Sequence, residues 1–512
     1  MEALTRGKQL TNSSSPSFPT PNIILIFAAM SRNRRNAEPM RITGLSIIDI
    51  AEEGKGVGKA DDLVIFVDKA VPGDVVDIRV VKKKKNFAEA IIENLQSKSE
   101  FRREPFCSHF GTCGGCKWQH MDYDAQLRFK HKNVEAALQR LAKIDTSKME
   151  PILGSAANQY YRNKLEYTFS NKRWLDANDM NFEEEGREMN ALGFHVPLRF
   201  DKILNVEHCY LQAEPSNKLR LAVREYALQH QLSFYDLRNH EGALRNLIIR
   251  TSSTGEIMVV VVFAYAEQEQ IDGLMGHLKA SFPEITSLLY ILNQKKNDTI
   301  FDQEVMVYSG RDHIFEQMPV EGAKDGVVKF KIGAKSFYQT NSDQAYELYK
   351  ITKEFAGFKG DELVYDLYTG AGTIANFIAG SVKQVVGIEY VPTAIEDAKF
   401  NAELNEINNT IFYAGDMKDI LTAEFIAEHG KPDVVITDPP RAGMHTDVVE
   451  RLLEMEAEKI VYVSCNAATQ ARDLALLKEK YEVMRIKPVD MFPHTQHVEN
   501  VVLLQLRENN SH

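Results

Sequence analysis

Five cysteines in this 512-residue chain fall into two chemical settings. Cys107, Cys113 and Cys116 are spaced Cys-x5-Cys-Gly-Gly-Cys and Cys209 stands far downstream, so four thiolates are available to a tetrahedral zinc ion or a 4Fe-4S cluster. Spacing alone leaves both open and leans to zinc. The fifth, Cys465, lies in Ser464-Cys-Asn466 at the end of an apolar run, just ahead of a helix expected to begin near Thr469. The positive end of a helix dipole lowers a thiol's pKa, which would make Cys465 a nucleophile; the plainer alternative is a buried structural cysteine. Asp438-Pro-Pro-Arg-Ala-Gly443 follows another apolar run, and its paired prolines forbid helix or ladder continuation, so a rigid loop begins with a carboxylate. Glu499 precedes the apolar run Val501 to Leu506, where it can act as a base in the same crevice.

The elements that must position these groups form a regular alternation. Leu363-Val-Tyr-Asp-Leu367, Gln384-Val-Val-Gly-Ile388, Asp433-Val-Val-Ile-Thr437 and Ile460-Val-Tyr-Val-Ser464 are short apolar strands separated by helical stretches. That pattern predicts a Rossmann-like, doubly wound and mostly parallel α/β sheet over residues 331–512, with ligands at the carboxyl ends of its strands. After the first strand, Asp366-Leu-Tyr-Thr-Gly-Ala-Gly-Thr373 lets the backbone pass close to a ligand. Glu389, 17 positions after Gly372, ends the next strand, where a carboxylate can accept from ribose hydroxyls. A nicotinamide cofactor would suit this much. The third glycine of the dinucleotide fingerprint is missing, however, which favours S-adenosylmethionine.

Upstream, residues 40–98 alternate short β-rich runs with turns at Gly54-Lys-Gly56, Asp61-Asp62 and Pro72-Gly73, predicting a small OB-like barrel. Residues 99–122 hold the cysteine loop, residues 123–150 a helical segment packing on the catalytic domain, and residues 151–330 a mixed α+β central domain that contributes Cys209. Glu256 to Phe263 reads as a buried strand, and residues 1–39 as a disordered extension in which translation could instead begin at Met30.

A net charge of -11 speaks against a nucleic-acid partner, but charge is uneven. Residues Arg79 to Lys143 carry 14 Lys and Arg against 7 Asp and Glu, and phosphate attraction acts within roughly 10 Å, so a local basic patch suffices. Lys82-Lys-Lys-Lys85 reads equally as a solvated hairpin edge. No run approaches the roughly 20 apolar residues of a spanning helix, and so few cysteines in so long a chain suit a reducing cytoplasm. Nothing demands an obligate protein partner, so a monomer is expected.

Asp438-Pro-Pro-Arg-Ala-Gly443, Ser464-Cys-Asn466 with Ala471-Arg-Asp473, and Asp490-Met-Phe-Pro-His-Thr-Gln-His-Val-Glu499 together resemble the RNA uracil-5-methyltransferases. The likeness is closest to the iron-sulfur, RumA-like branch that acts on 23S ribosomal RNA. It runs from about residue 40, where Gly54-Lys-Gly-Val-Gly58 and Val71-Pro-Gly73 look like the family's RNA-binding TRAM barrel, to about residue 507. The extension and Glu183-Glu-Glu185 fall outside it.

This resemblance implies methylation of carbon 5 of one uridine in RNA, with 23S ribosomal RNA favoured and transfer RNA the alternative. Cys465 would add to carbon 6, and Glu499 would remove the carbon 5 proton so that the cysteine can leave. Gln339, in Phe337-Tyr-Gln-Thr-Asn341, with Tyr368, Thr373, Glu389 and Asp416 would form the cofactor pocket, and Asp438 would stand where cofactor and base meet. Cys107, Cys113, Cys116 and Cys209 would hold a 4Fe-4S cluster of structural or RNA-contacting purpose. Ala467 departs from the pattern, since many members have proline there. An exocyclic-amine methyltransferase would carry an aromatic residue where Arg441 stands, and a non-catalytic iron-sulfur RNA-binding protein would need neither Cys465 nor Glu499.

Overall fold

The computed structural model describes residues 39–175 and 187–508. The extension, apart from its last residue, and the Glu183 stretch lie outside these. Five strands, β1 (Arg41–Ile50), β2 (Gly56–Ala60), β3 (Leu63–Asp68), β4 (Val75–Lys83) and β5 (Phe87–Ser97), close a barrel in the order β1-β2-β3-β5-β4. Alternate residues Leu45, Ile47, Ile65, Val67, Val76 and Ile78 fill its interior, each aliphatic side chain contributing about 1.5–3 kcal/mol by leaving water. Gly54 makes the expected turn with φ +85, but Gly56 belongs to β2. A Cβ on Gly56 or Gly58 would lie 2.8 Å from Ala70 or Leu45, so these glycines admit the facing wall. On the rim, Lys82 and Lys55 both bond Glu89 and are partly neutralised by it.

The central domain is a seven-stranded sheet built from β6 (Lys164–Ser170), β7 (Ala191–Val196), β8 (Arg199–Asn205), β9 (Leu244–Thr251), β10 (Ile257–Phe263), β11 (Ser287–Leu292) and β12 (Val305–Gly310). β10 is buried along its whole length because both faces are covered. Val259 and Val261 meet the helices Ser216–Gln229 and Gln268–Ser281, while Met258, Val260 and Val262 join the core shared with the C-terminal sheet.

The break expected after residue 330 falls inside β14 (Val327–Gly333), which pairs with β13 (His313–Pro319). That hairpin belongs with the C-terminal domain: Lys329 and Lys331 N–H groups donate to Asn405 and Asn401 on the helix Pro392–Leu404 and its C-terminal cap. The C-terminal sheet runs β17 (Thr410–Ala414), β16 (Gln384–Glu389), β15 (Leu363–Leu367), β18 (Val434–Thr437), β19 (Lys459–Ser464), β21 (Glu499–Leu506) and β20 (Tyr481–Val489). β15 to β19 are mutually parallel and the hairpin β20–β21 is antiparallel, giving the expected doubly wound class. The helix Tyr123–Ala137 and the π turn Leu138–Ala142 pack Val134, Leu138 and Ala142 into this sheet's core. Among the described residues no helix is long and apolar enough to cross a membrane.

Candidate active site

Three neighbouring strand ends gather the chemistry. Thr437 ends β18 and Asp438 follows it, with the Asp438 N–H reaching the Leu367 carbonyl at 3.4 Å. β19 ends at Ser464, paired with Asn500 of the antiparallel β21, and Cys465 and Glu499 are the next residues along the two chains, near enough for Glu499 to act on the thiol. Glu499, 5 % exposed, heads β21 opposite Val489. Arg441, three residues beyond Asp438, is tied to the same turn, because its carbonyl accepts from Asn466 Nδ2 (3.1 Å) and Thr469 Oγ1 (3.2 Å).

Charge in this cluster runs opposite to the expectation of an acidified thiol. The helix begins at Ala467 rather than Thr469, and two of its free N–H groups, those of Ala468 and Thr469, are taken by the Asn466 side chain. Partial burial, Glu499 and Asp438 push the Cys465 thiol up to about 12, with only Arg441 and a backbone hydrogen bond opposing. Burial beside Asp438 likewise raises Glu499 to about 8, and burial raises Asp438 and Asp366 to about 7. A base with a pKa near neutrality is suited to proton abstraction. Ala467 occupies the first helical turn, a position that also accepts proline, so its departure from the family pattern leaves the turn intact.

The glycine loop lies between β15 and the helix Thr373–Ile378. Tyr368, Gly370 and Gly372 have φ of 63°, 55° and 72°, and Thr369 Oγ1 locks the turn by donating to Asp366 at 2.5 Å. A Cβ on Gly370 would meet nothing within 4 Å, so the loop borders open space, whereas on Gly372 it would crowd Ala398 at 2.9 Å. Glu389, at the end of β16, accepts from the Gly370 N–H (3.2 Å) and the Val391 N–H (2.9 Å), which fixes a carboxylate beside that space. Asp416 caps a short helix through the Lys418 N–H, and burial raises the Tyr368 phenol, with Asp473, Asp416 and Glu389 adding to it. Thr373 Oγ1 bonds the Tyr349 hydroxyl at 3.1 Å. Gln339 stands on a separate segment, its carbonyl held by Asn163 Nδ2 at 2.9 Å. Open space at Gly370 beside a fixed carboxylate suits an adenosine-bearing methyl donor.

Cys107, Cys113, Cys116 and Cys209 line one largely apolar cavity with Phe110, Phe194 and Leu211. Burial pushes Cys113 up to about 12 and Cys116 up to about 11, and the Gly115 N–H donates to Cys113 Sγ at 3.4 Å. As the thiols stand, no group of three or more His, Cys, Asp or Glu among the described residues is arranged to hold a metal ion. In number and kind, four thiols on one water-poor wall fit a thiolate-bound group.

Sequence reasoning missed the polar contacts behind the Asp490–Glu499 segment. Asp490 pairs with Lys130 Nζ at 2.6 Å, both side chains fully buried, and accepts from the Tyr123 hydroxyl at 2.9 Å. The helix offered a signal, since Gln126 and Lys130 share its buried face with Ala125, Phe129 and Val134.

Comparison with known proteins shows which families the two ends of the chain match. The model of the tRNA (uracil-5-)-methyltransferase family matches residues 302–507, and the TRAM domain model matches residues 38–92. An uncharacterized RNA methyltransferase of Bacteroides thetaiotaomicron is 59% identical over 461 residues, covering 90% of this chain and 100% of that protein. One of Porphyromonas gingivalis is 57% identical, covering 90% and 99%. Among solved structures, the Pyrococcus abyssi tRNA (uracil-54, C5)-methyltransferase in complex with S-adenosyl-L-homocysteine is similar with a TM-score of 0.68 and 26% identity, covering 91% of this chain and 100% of that one.

Proposed function

The chain belongs to the RNA uracil-5-methyltransferase family and is an S-adenosylmethionine-dependent RNA methyltransferase, and from that membership we propose how its residues divide the work. Cys465 is the nucleophile and Glu499 the base. Gln339, Tyr368, Thr373, Glu389 and Asp416 hold the methyl donor, and Asp438 stands where donor and uracil meet. The observation that supports this division is the convergence of Asp438, Cys465 and Glu499 on adjacent strand ends beside the glycine loop.

Bound S-adenosylmethionine supplies an electrophilic methyl group. Carbon 5 of uracil is a poor partner for it until a nucleophile adds to carbon 6. The Cys465 thiol loses its proton to solvent, helped by the positive charge of Arg441, and the sulfur bonds to carbon 6, shifting an electron pair that makes carbon 5 nucleophilic. Carbon 5 takes the methyl group, and the electron pair of the broken methyl–sulfur bond stays with the spent donor. Glu499 then removes the carbon 5 proton, the electron pair reforms the ring double bond, and the carbon–sulfur bond breaks to return the thiolate. Because Glu499 is raised to about 8, it binds that proton firmly enough to accept it and loosely enough to release it near neutrality.

Cys107, Cys113, Cys116 and Cys209 would hold a 4Fe-4S cluster, which enters none of these steps and braces the loop that carries it. The target read here is a uridine of 23S ribosomal RNA, with the TRAM barrel gripping flanking nucleotides while the base is turned out of its stack. Transfer RNA is the second reading, favoured by the substrate of the similar Pyrococcus abyssi enzyme. Mapping 5-methyluridine in both RNAs from cells lacking the gene tests the choice. Loss from a single 23S position is expected; loss from transfer RNA alone would install the second reading, and loss from neither would overturn both.

A further inference from the structure

Arg441 is exposed on the rim of the crevice, where an arginine side chain ordinarily samples many rotamers. Here its two ends are held. The backbone carbonyl is fixed by Asn466 and Thr469 from the turn that follows Cys465, and Nη2 donates to His497 Nδ1 at 3.0 Å. Burial and the facing cations Arg441, Lys130, Lys117 and Arg162 push His497 down to about 4, so its ring is a neutral acceptor throughout the working range.

His497 is itself anchored by a continuous chain of hydrogen bonds. Its backbone N–H donates to Thr495 Oγ1 (3.2 Å), and Thr495 Oγ1 donates to the Phe492 carbonyl (2.8 Å). That carbonyl also accepts from Lys130 Nζ (3.1 Å), whose ion pair with Asp490 is fully buried. Asp490 completes the turn by accepting the Phe492 N–H at 3.0 Å. A buried ion pair contributes little net stability because desolvation offsets its attraction, and its clearest use is to fix a geometry.

We propose that His497 is a positioning residue that holds the Arg441 guanidinium beside Cys465 and Glu499, and that the Lys130–Asp490 pair, through Phe492 and Thr495, fixes His497 for this task. The inference deepens the reading of Cys465 as nucleophile and rests on it. The charged groups facing the Cys465 thiol are Glu499, Asp438 and Arg441, and of these only Arg441 favours the anion. A guanidinium free to swing into solvent would leave the thiol to two carboxylates.

The test follows alkylation of Cys465 by iodoacetamide against pH in the full-length protein without RNA, read by peptide mass spectrometry. His497→Leu should slow alkylation at pH 8 by about tenfold, the effect of one pKa unit on the thiolate fraction. His497→Asn, whose amide oxygen stands near the Nδ1 position, should restore most of the rate. Arg441→Gln should slow the reaction as much, and adding His497→Leu to it should slow it no further. A wild-type alkylation profile in His497→Leu overturns the proposal, as does an additive loss in the double variant. Should the leucine variant fail to fold, Thr495→Val removes the hydroxyl that holds the His497 N–H; a smaller slowing supports the proposal and a wild-type profile overturns it. The wild-type adduct with RNA containing 5-fluorouridine reports separately on Cys465, so failure of the nucleophile reading and failure of the His497 role are told apart.

Discussion

Replacing Glu499 by glutamine separates stability from chemistry and gives each a sign. The side chain is 5 % exposed, and burial beside Asp438 raises its pKa from 4.5 to about 8. In the unfolded chain the carboxyl ionises near its ordinary value, so above that pH folding must return a proton to it. A raised folded-state pKa means that the group's stabilising contribution is complete below the unfolded pKa of 4.5 and is lost as pH climbs towards about 8, beyond which the loss is constant. At pH 7 the gap from the unfolded pKa is roughly 2.5 units, or about 3 kcal/mol at ~1.4 kcal/mol per unit, part of it shared with Asp438. Glutamine keeps the shape and cannot ionise, and any fixed packing cost it brings cancels when its own pH dependence is compared with that of wild type. Thermal or urea unfolding of both proteins at pH 5 and pH 8 should show glutamine gaining about 2–4 kcal/mol relative to wild type over that interval. Methylation of RNA should fall by roughly 10²–10⁴ in the same variant. A stability difference that does not change with pH, or a variant that still methylates at the normal rate, would refute the reasoning.

The rate of methylation by the wild type should climb with pH through the Glu499 value of about 8 and go on rising as the Cys465 thiol, pushed up to about 12, loses its proton; a kcat/KM profile from pH 6 to 9.5 that is flat would contradict this. Gly58→Val places a branched side chain where a Cβ already lies 2.8 Å from Leu45, so it should cost the barrel about 2–4 kcal/mol and weaken RNA binding, measured by filter retention, while leaving S-adenosylmethionine binding by calorimetry intact. Protein purified without oxygen should contain iron and acid-labile sulfide in equal amounts. Cys209→Ser should lose both and Cys465→Ser neither, a contrast that elemental analysis and the visible absorption band read directly.

Much of the catalytic sheet could be read in advance because buried parallel strands announce themselves as unbroken apolar runs. β15, β16, β18 and β19 have that form. β17 and β20 escaped because an edge strand buries less: Thr410–Ala414 keeps only Phe412 buried, and Tyr481–Val489 is interrupted by Glu482, Arg485 and Lys487. The meeting of Asp438, Cys465 and Glu499 was legible through motif spacing, since strand ends in a doubly wound sheet are where ligand-facing residues fall. Their titration behaviour was not. The helix N-terminus suggested an acidic thiol, but that effect is worth only about 1 kcal/mol and was outweighed once Asn466 took two of the free N–H groups and two carboxylates closed in. Contacts across hundreds of residues, such as Lys130 to Asp490 and Gln126 to His494, have no local signature beyond polar residues on an apolar helix face.

The proposed mechanism depends on a reversible bond between one sulfur and the pyrimidine. RNA carrying 5-fluorouridine cannot surrender a proton from carbon 5, so the enzyme should stall on it after methyl transfer, as a complex that survives denaturing gel electrophoresis and maps to the Cys465 peptide. Cys465→Ser should form no such complex and should not methylate normal RNA. A serine variant that still methylates at the wild-type rate, or a complex that maps to another residue, would contradict the account.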